Sequence, residues 1–277
     1  MLVENAYGKS RVRLVKVSRR GDRHDLSDLT VGIRFEGDYD ASYTEGDNSG
    51  VLPTDTMKNT VYALAAAGEV ADPELFGLHL AAHFQQRNPR LQRVRIDIDQ
   101  HHWGRIPVGG RDHGQAFIRQ GTETRTCTVD VGGKKQMVGA GVTDLTILKS
   151  SRSAFAGFLR DEYTTLPDTT DRLLATSLSA TWKYADLDVD FGPAWRAVRS
   201  TLLETFAEHD SKSVQHTLHE MAKAVLDSVG PVSAIRIVMP NKHHLQVDLS
   251  RFGLENRNEI FVPTDEPYGL IEASLVR

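Results

Sequence analysis

The chain has 277 residues, of which 40% are hydrophobic and 25% charged, and its formal net charge is -4. This balance is typical of an ordinary globular protein, and it gives no basic surface for nucleic acid or for an anionic membrane. The single cysteine, Cys127, cannot form a disulfide within the chain. No segment resembles a signal peptide or a transmembrane helix, and the last residues are not the peroxisomal Ser-Lys-Leu address, so we expect a cytoplasmic protein.

The triplet Gly8-Lys9-Ser10 matches the end of a phosphate-binding P-loop. That motif needs a glycine five positions before Gly8, where Val3 stands, and it must open a helix. The residues that follow, 11–17, are rich in β-branched side chains and predict a strand instead. The triplet therefore does not predict a P-loop, and the simplest interpretation of Lys9 is a solvated lysine at the start of a strand.

The first half of the chain predicts two strands, two helices and two further strands. Hydrophobic residues alternate with polar ones over 29–35, as in a half-buried strand. Thr54-Asp55 is most simply a helix cap, and Asp72 is a capping residue placed before a proline. The predicted elements are strands near 10–19 and 29–35 joined by a turn at 21–23, helices beginning at Thr54 and at Asp72-Pro73, and strands near 94–98 and 115–131.

The second half predicts the same order of elements. Its second helix carries Val214, Leu218, Met221 and Val225 on one face, at intervals of four, three and four. The predicted elements are strands near 142–149 and 178–184, helices beginning near Pro193 and near Val214, and strands near 233–239 and 244–250.

The repeated order of elements predicts the fold class. We expect an α+β protein with two tandem ββααββ domains, residues 1–135 and 136–277. Each domain would have an antiparallel sheet with helices on one face. The exposed edges and the open face of such sheets favour an oligomer.

Common metal and cofactor motifs are absent from the sequence. The pairs His101-His102 and His243-His244 are adjacent on predicted strands or turns, where neighbouring side chains point to opposite faces. There is no HExxH motif, no zinc-type Cys–His spacing, no GxSxG elbow and no GxGxxG fingerprint. The sequence therefore announces none of the common metal or cofactor sites.

Several polar residues each have a simple structural explanation when they are taken alone. Gln215 would be a surface residue in the first turn of a helix, and Asn241 would suit a tight turn. Arg172 could pair with Asp171 or Glu162, and Phe155 would most often be a core residue.

Taken together, four motifs resemble the urate oxidase (uricase) family. They occur in the family's order, and the resemblance extends from about Tyr7 to Ile271. The motifs are Tyr7-Gly8-Lys9, Thr54-Asp-Thr-Met-Lys-Asn-Thr60, Gly157-Phe-Leu-Arg-Asp-Glu-Tyr-Thr-Thr-Leu166 and Pro240-Asn-Lys-His243.

The resemblance implies a fold, an assembly and a reaction. The family has two tandem T-fold (tunnelling-fold) domains, each an antiparallel four-stranded sheet with two helices, in a homotetramer whose active sites are shared between subunits. The implied reaction is oxidation of urate by O₂ and water to 5-hydroxyisourate and hydrogen peroxide, without metal or organic cofactor.

The resemblance also implies the site residues. Arg172 and Gln215 would bind one edge of the purine, and Phe155 would stack on its ring. Leu166 and Val214 would form the apolar walls of the pocket. Thr54 and Asp55 would come from a neighbouring subunit and reach the opposite edge of the purine. Asn241 and Thr54 would flank the position of O₂ or water.

The matching lysine, threonine and histidine would form a proton relay of Lys9, Thr54 and His243. A neutral amine beside a threonine hydroxyl can make that hydroxyl a base, and histidine transfers protons near neutral pH. Two alternatives stay open: another T-fold enzyme acting on a purine or pterin, which would generally need zinc, and a purine-binding protein without catalysis.

Overall fold

The structure is a computed structural model that describes residues Leu2–Arg277. Contacts within the chain divide it into two compact units. Unit 1 contains the residues up to Gly141 together with Lys183–Trp195, and unit 2 contains Val142–Trp182 and Arg196–Arg277. The domain ranges 1–135 and 136–277 stay a prediction. Across residues 2–277, no helix combines the length and apolar character needed to cross a membrane.

Unit 1 is an antiparallel sheet with the strand order β1-β2-β3-β4. The predicted strands and helices are all present, and β3 and β4 continue well beyond their hydrophobic runs because their polar ends also pair. The elements are β1 (Tyr7–Arg20), β2 (Arg23–Gly37), the short α1 (Asp40–Thr44), α2 (Thr54–Ala67), α3 (Pro73–Arg87), β3 (Leu91–Val108) and β4 (Arg111–Gly132).

The core of unit 1 lies between one face of this sheet and the helices α2 and α3. Phe35 of β2 is fully buried and meets Phe84 of α3 edge to face, with ring centroids 5.1 Å apart. The alternation seen over 29–35 therefore marks the helix-facing side of the sheet. The buried residues of this core are Leu29, Val31, Ile33 and Phe35 from the sheet, Met57, Val61 and Ala65 from α2, and Phe76, Leu80 and Phe84 from α3.

Neither predicted helix cap makes a side-chain capping hydrogen bond. Thr54 is the first residue of α2, and the N-cap position is Pro53, which has no capping group. Asp72 does stand at the N-cap of α3, with Pro73 at the first helical position as predicted, but its side chain makes no capping hydrogen bond. The first backbone N–H groups of α2 are therefore left without a side-chain cap.

In unit 2 the main sheet has the strand order β5-β6-β7-β10. Helix α5 packs on β7 and β10, and its predicted apolar face, Val214, Leu218, Met221 and Val225, is buried. The elements, some of which begin in unit 1, are β5 (Lys135–Lys149), β6 (Leu174–Tyr184), α4 (Phe191–Glu208), α5 (Val214–Ser228), β7 (Val232–Lys242), β8 (His244–Gln246), a 3-10 turn (Ser250–Phe252), β9 (Phe261–Pro263) and β10 (Gly269–Val276).

The prediction of a sheet strand over 244–250 is wrong. Only β8 is extended there, and it pairs with β9 in a separate two-stranded sheet. The strand that pairs with β7 is β10, from Gly269 opposite Asn241 to Val276 opposite Ala234. Both segments alternate in hydrophobicity, and a local pattern cannot show which of two candidate strands pairs with β7.

The start of β1 explains the Gly-Lys-Ser triplet. The β1–β2 pairing has a bulge between Lys9 and Val12, where Arg11 has a left-handed φ of 57°. A Cβ atom on Gly8 would lie 1.9 Å from the backbone oxygen of Ile33 in β2. Gly8 is therefore needed for close approach of two strands beside the bulge, and not for contact with a phosphate.

We predict that Gly8→Ala destabilises the protein by about 1–3 kcal/mol, because the added carbon overlaps backbone that cannot rotate away. Urea or thermal unfolding measures the change. Gly230→Ala is the matched control, since a Cβ there meets nothing within 4 Å. Its effect should stay within about 0.5 kcal/mol. Equal stability of the two variants would contradict the close approach at Gly8.

Candidate active site

Three short segments of unit 2 lie side by side and carry predicted site residues. Phe155 and Thr169 exchange both of their backbone hydrogen bonds, at 2.8 and 2.9 Å. The Arg172 N–H donates to the Ser153 oxygen at 2.8 Å. On the other side, the Ser211 N–H donates to Arg152 O and its carbonyl accepts from the Ala154 N–H, at 3.0 and 2.8 Å. These bonds hold the segments 152–155, 169–172 and 211–213 together, and we call them the three-segment framework.

Arg172 has an unpaired guanidinium in this framework. Its Cζ lies 5.3 Å from the centre of the Phe155 ring, and its buried Nε has no hydrogen-bond partner among the described residues. Burial lowers the pKa of Arg172, yet an arginine stays cationic at any physiological pH. Asp171 does not pair with it, because that carboxylate accepts hydrogen bonds from Ser151 Oγ at 2.9 Å and from the Ser153 N–H at 3.4 Å.

Phe155 is a partly exposed stacking ring and not a core residue. It stacks on Phe158 with centroids 4.8 Å apart and planes inclined by 10°. The guanidinium of Arg160 lies 4.7 Å from the Phe158 centroid. Sequence reasoning missed Phe158 and Arg160 as parts of this stack. Both residues stand in the Gly157–Leu166 motif, but the loop has no regular periodicity that could indicate the stack.

The exposed loop that follows Phe155 carries Leu166. Its backbone is fixed by local bonds, from the Gly157 N–H to Asp168 Oδ1 at 3.1 Å and from Arg160 to Leu166 O at 3.1 Å. The Leu166 side chain is 49% exposed. An exposed apolar side chain of this kind can contact a ligand or another chain.

Val214 and Gln215 occupy the first turn of α5. Ser213 caps this helix, because its hydroxyl accepts from the His216 N–H at 3.1 Å. Val214 is buried while Gln215 is exposed, so the amide of Gln215 is free to reach a ligand. The N–H groups of a first helical turn have no partner within the helix, and they favour an anion.

Asn241 and His243 lie at the end of β7. Asn241 is opposite Gly269 of β10, and the His243 carbonyl accepts from the Thr264 N–H at 2.9 Å. Both residues are partly exposed. Within the described chain, neither side chain hydrogen-bonds to Phe155 or Arg172, so the structure fixes their backbone without joining them to the three-segment framework.

Unit 1 carries Lys9, Thr54 and Asp55. The carboxylate of Asp55 binds Lys58 and, at 3.0 Å, Asn59. The hydrogen bond and the charge of Lys58 are the main causes that lower the pKa of Asp55, and the Asn59 hydrogen bond and the charge of Lys9 lower it further. Lys9 lies in β1, the strand that α2 contacts. Because the Asp55 side chain is engaged, its backbone N–H at the uncapped helix start is the group left for an anionic ligand.

The predicted site residues thus form two sets, one in each compact unit. Lys9, Thr54 and Asp55 belong to unit 1, and the remaining seven belong to unit 2: Phe155, Leu166, Arg172, Val214, Gln215, Asn241 and His243. That the two sets form one site stays a prediction. Across residues 2–277, no group of three or more His, Cys, Asp or Glu residues is arranged to hold a metal ion.

Comparison with known proteins identifies the family. A family model described as uricase matches residues 5–130 and 138–272. A uricase from Arthrobacter globiformis is 46% identical over 277 residues, covering 100% of this chain and 90% of that protein. Uricases from Danio rerio and Aspergillus flavus are 37% and 38% identical, covering 99% and 98% of this chain and 94% and 95% of those proteins.

Solved structures agree with this result. The crystal structure of uricase from Arthrobacter globiformis has a TM-score of 0.96 over 100% of this chain and 95% of that chain. A uricase from Bacillus fastidious, at 25% identity, has a TM-score of 0.87 over 98% of this chain and 93% of that one. The predicted α+β class with two tandem antiparallel units is confirmed. The chain belongs to the uricase family.

Proposed function

We propose that this protein oxidises urate with O₂ and water, giving 5-hydroxyisourate and hydrogen peroxide, without a metal or organic cofactor. Family membership supports the coarser statement that it is an oxidoreductase acting on urate. The observation that carries the finer proposal is Arg172, a half-buried cation that pairs with no carboxylate among residues 2–277 and lies beside a partly exposed aromatic ring. A flat anion complements both groups.

The side chains can supply every group that this chemistry requires of the protein. Urate, O₂ and water together hold the atoms of 5-hydroxyisourate and hydrogen peroxide. The purine gives up two electrons, O₂ accepts them, and water adds the new hydroxyl to the ring. A deprotonated purine is electron-rich enough to reduce O₂ directly. The protein therefore has to bind the anion, move protons, and hold O₂ and water over the ring.

Binding of the anion follows from the groups at hand. The guanidinium donors of Arg172 suit an anionic carbonyl–nitrogen edge, and the Gln215 amide can both donate and accept. Stacking of a flat base on an aromatic ring such as Phe155 contributes about 1–3 kcal/mol. Val214 and Leu166 would close the apolar walls, and Asn241 would face the O₂ or water position.

Proton transfer would run through Lys9, Thr54 and His243. In this proposal Thr54 and the Asp55 N–H come from a neighbouring subunit of a homotetramer, so that the two sets of residues meet at an interface. Lys9 lies in β1, the strand that α2 contacts, which supports joint action of Lys9 and Thr54. A cytoplasmic location, expected from the sequence, completes the proposal.

The direct test adds urate to chelator-treated protein in air and follows loss of urate together with release of peroxide. We expect one peroxide for each urate consumed, with no effect of the chelator. Urate that is bound and not consumed would favour a binding protein. Urate that is neither bound nor consumed would contradict the proposal as a whole.

We predict that Lys9→Met lowers kcat by about 10²–10⁴-fold, because proton transfer by a positioned group contributes that much. The affinity for urate measured without O₂ should change little. Lys223→Met is the control, since Lys223 is exposed and pairs with Asp227 four residues away. A Lys9→Met enzyme with normal kcat would exclude Lys9 from the relay.

We predict that Arg172→Gln weakens urate binding without O₂ by about 10–100-fold, which corresponds to loss of a hydrogen bond to a charged group. Arg236→Gln is the control, because Arg236 forms an exposed pair with Glu272. Titration calorimetry measures both. If the two variants bind urate equally well, Arg172 does not hold the anion.

A further inference from the structure

A buried chain of hydroxyl groups lies beneath the first turn of α5. Thr217 is fully buried, and its Oγ1 donates to Ser211 Oγ at 2.7 Å. Ser211 is 1% exposed, and its hydroxyl donates in turn to the carbonyl of the N-cap residue Ser213 at 3.1 Å. Both hydroxyl protons are therefore committed in one direction, towards the start of the helix that carries Gln215.

This direction also fixes the role of His209. Its Nδ1 lies 3.2 Å from Thr217 Oγ1. Because the single proton of Thr217 is donated to Ser211, the imidazole Nδ1 must carry a proton and donate to Thr217. The His209 carbonyl accepts from the buried Lys149 Nζ at 2.5 Å, which ties this residue to the end of β5. The chain of donors thus starts from a residue that is itself fixed.

Ser211 also belongs to the three-segment framework. Its backbone N–H and carbonyl bond to Arg152 and Ala154, directly before Phe155. One residue therefore contacts the Phe155 segment through its backbone and the α5 N-terminus through its side chain. A shift of Ser211 would move the stacking ring and the Gln215 amide relative to each other.

We propose that the Thr217 hydroxyl is a positioning group for the urate site, which it sets by holding Ser211 between Phe155 and Gln215. Thr217 itself would not touch the substrate. The inference rests on the proposed function, because Phe155 and Gln215 bind urate only if that function holds. The inference adds a residue that lies beneath the site, and loss of its hydroxyl would weaken the binding of urate.

The test compares Thr217→Val, which keeps the shape and removes the hydroxyl, with Thr217→Ser, which keeps the hydroxyl. Urate affinity is measured without O₂, and KM and kcat are measured in air. We expect Thr217→Val to weaken affinity and to raise KM by about tenfold, the usual effect of an unpaired buried polar group, with kcat at saturation changed less than about threefold. Thr217→Ser should restore affinity to within about twofold.

Thr176→Val is the matched control. Thr176 is also fully buried in unit 2, and its hydroxyl has no hydrogen-bond partner among the described residues. Its replacement should leave urate affinity within about twofold of the original. Equal losses in Thr176→Val and Thr217→Val, or failure of Thr217→Ser to restore binding, would overturn the positioning role.

Two further outcomes are distinguishable. If Thr217→Val does not fold, Ser211→Ala removes the same contact, and unchanged affinity in that variant would overturn the inference. If the unmodified protein neither binds nor oxidises urate, the proposed function fails and this inference fails with it. If the unmodified protein oxidises urate and Thr217→Val binds it equally well, only the positioning role fails.

Discussion

Backbone hydrogen bonding outside the regular strands holds the candidate site together. Buried peptide groups need partners, and the segments around Phe155, Arg172 and Ser211 obtain them from one another. An aromatic ring, a cation and a helix N-terminus are thereby fixed in one place. Backbone pairing holds this arrangement together, so the guanidinium of Arg172 needs no carboxylate partner within the framework and is left for a ligand.

The groups left without partners define the chemistry that the site favours. Arg172 has an unpaired buried donor. Helix α2 begins at Thr54 without a side-chain cap, and the one acid in its first turn, Asp55, is engaged by Lys58 and Asn59. A guanidinium and the first N–H groups of a helix are both suited to bind an anion. The unpaired buried donor of Arg172 costs stability, and an anion bound there would supply its partner.

The sequence predicted the features of the fold that depend on local periodicity. The alternation over 29–35 and the spacing of Val214, Leu218, Met221 and Val225 both identified faces that are buried. The bulge after Lys9 and the pairing of β10 with β7 could not be predicted, because each depends on a strand distant in sequence. The cap of α2 was misassigned by one residue, since threonine and aspartate suit the first turn as well as the cap.

For the site as well, the sequence indicated which residues take part, and the structure was needed to show the environment of each. Family resemblance predicted Phe155 and Arg172 as site residues, whereas taken alone they suggested a core ring and an ion pair. Only the structure distinguishes these alternatives, by exposing the ring and giving Asp171 other partners. Thr217 had no signal at all, because a buried threonine inside a helix is ordinary in sequence. Its importance comes from the direction of its proton, which is determined by Ser211 and Ser213 and ends at the carbonyl before Val214.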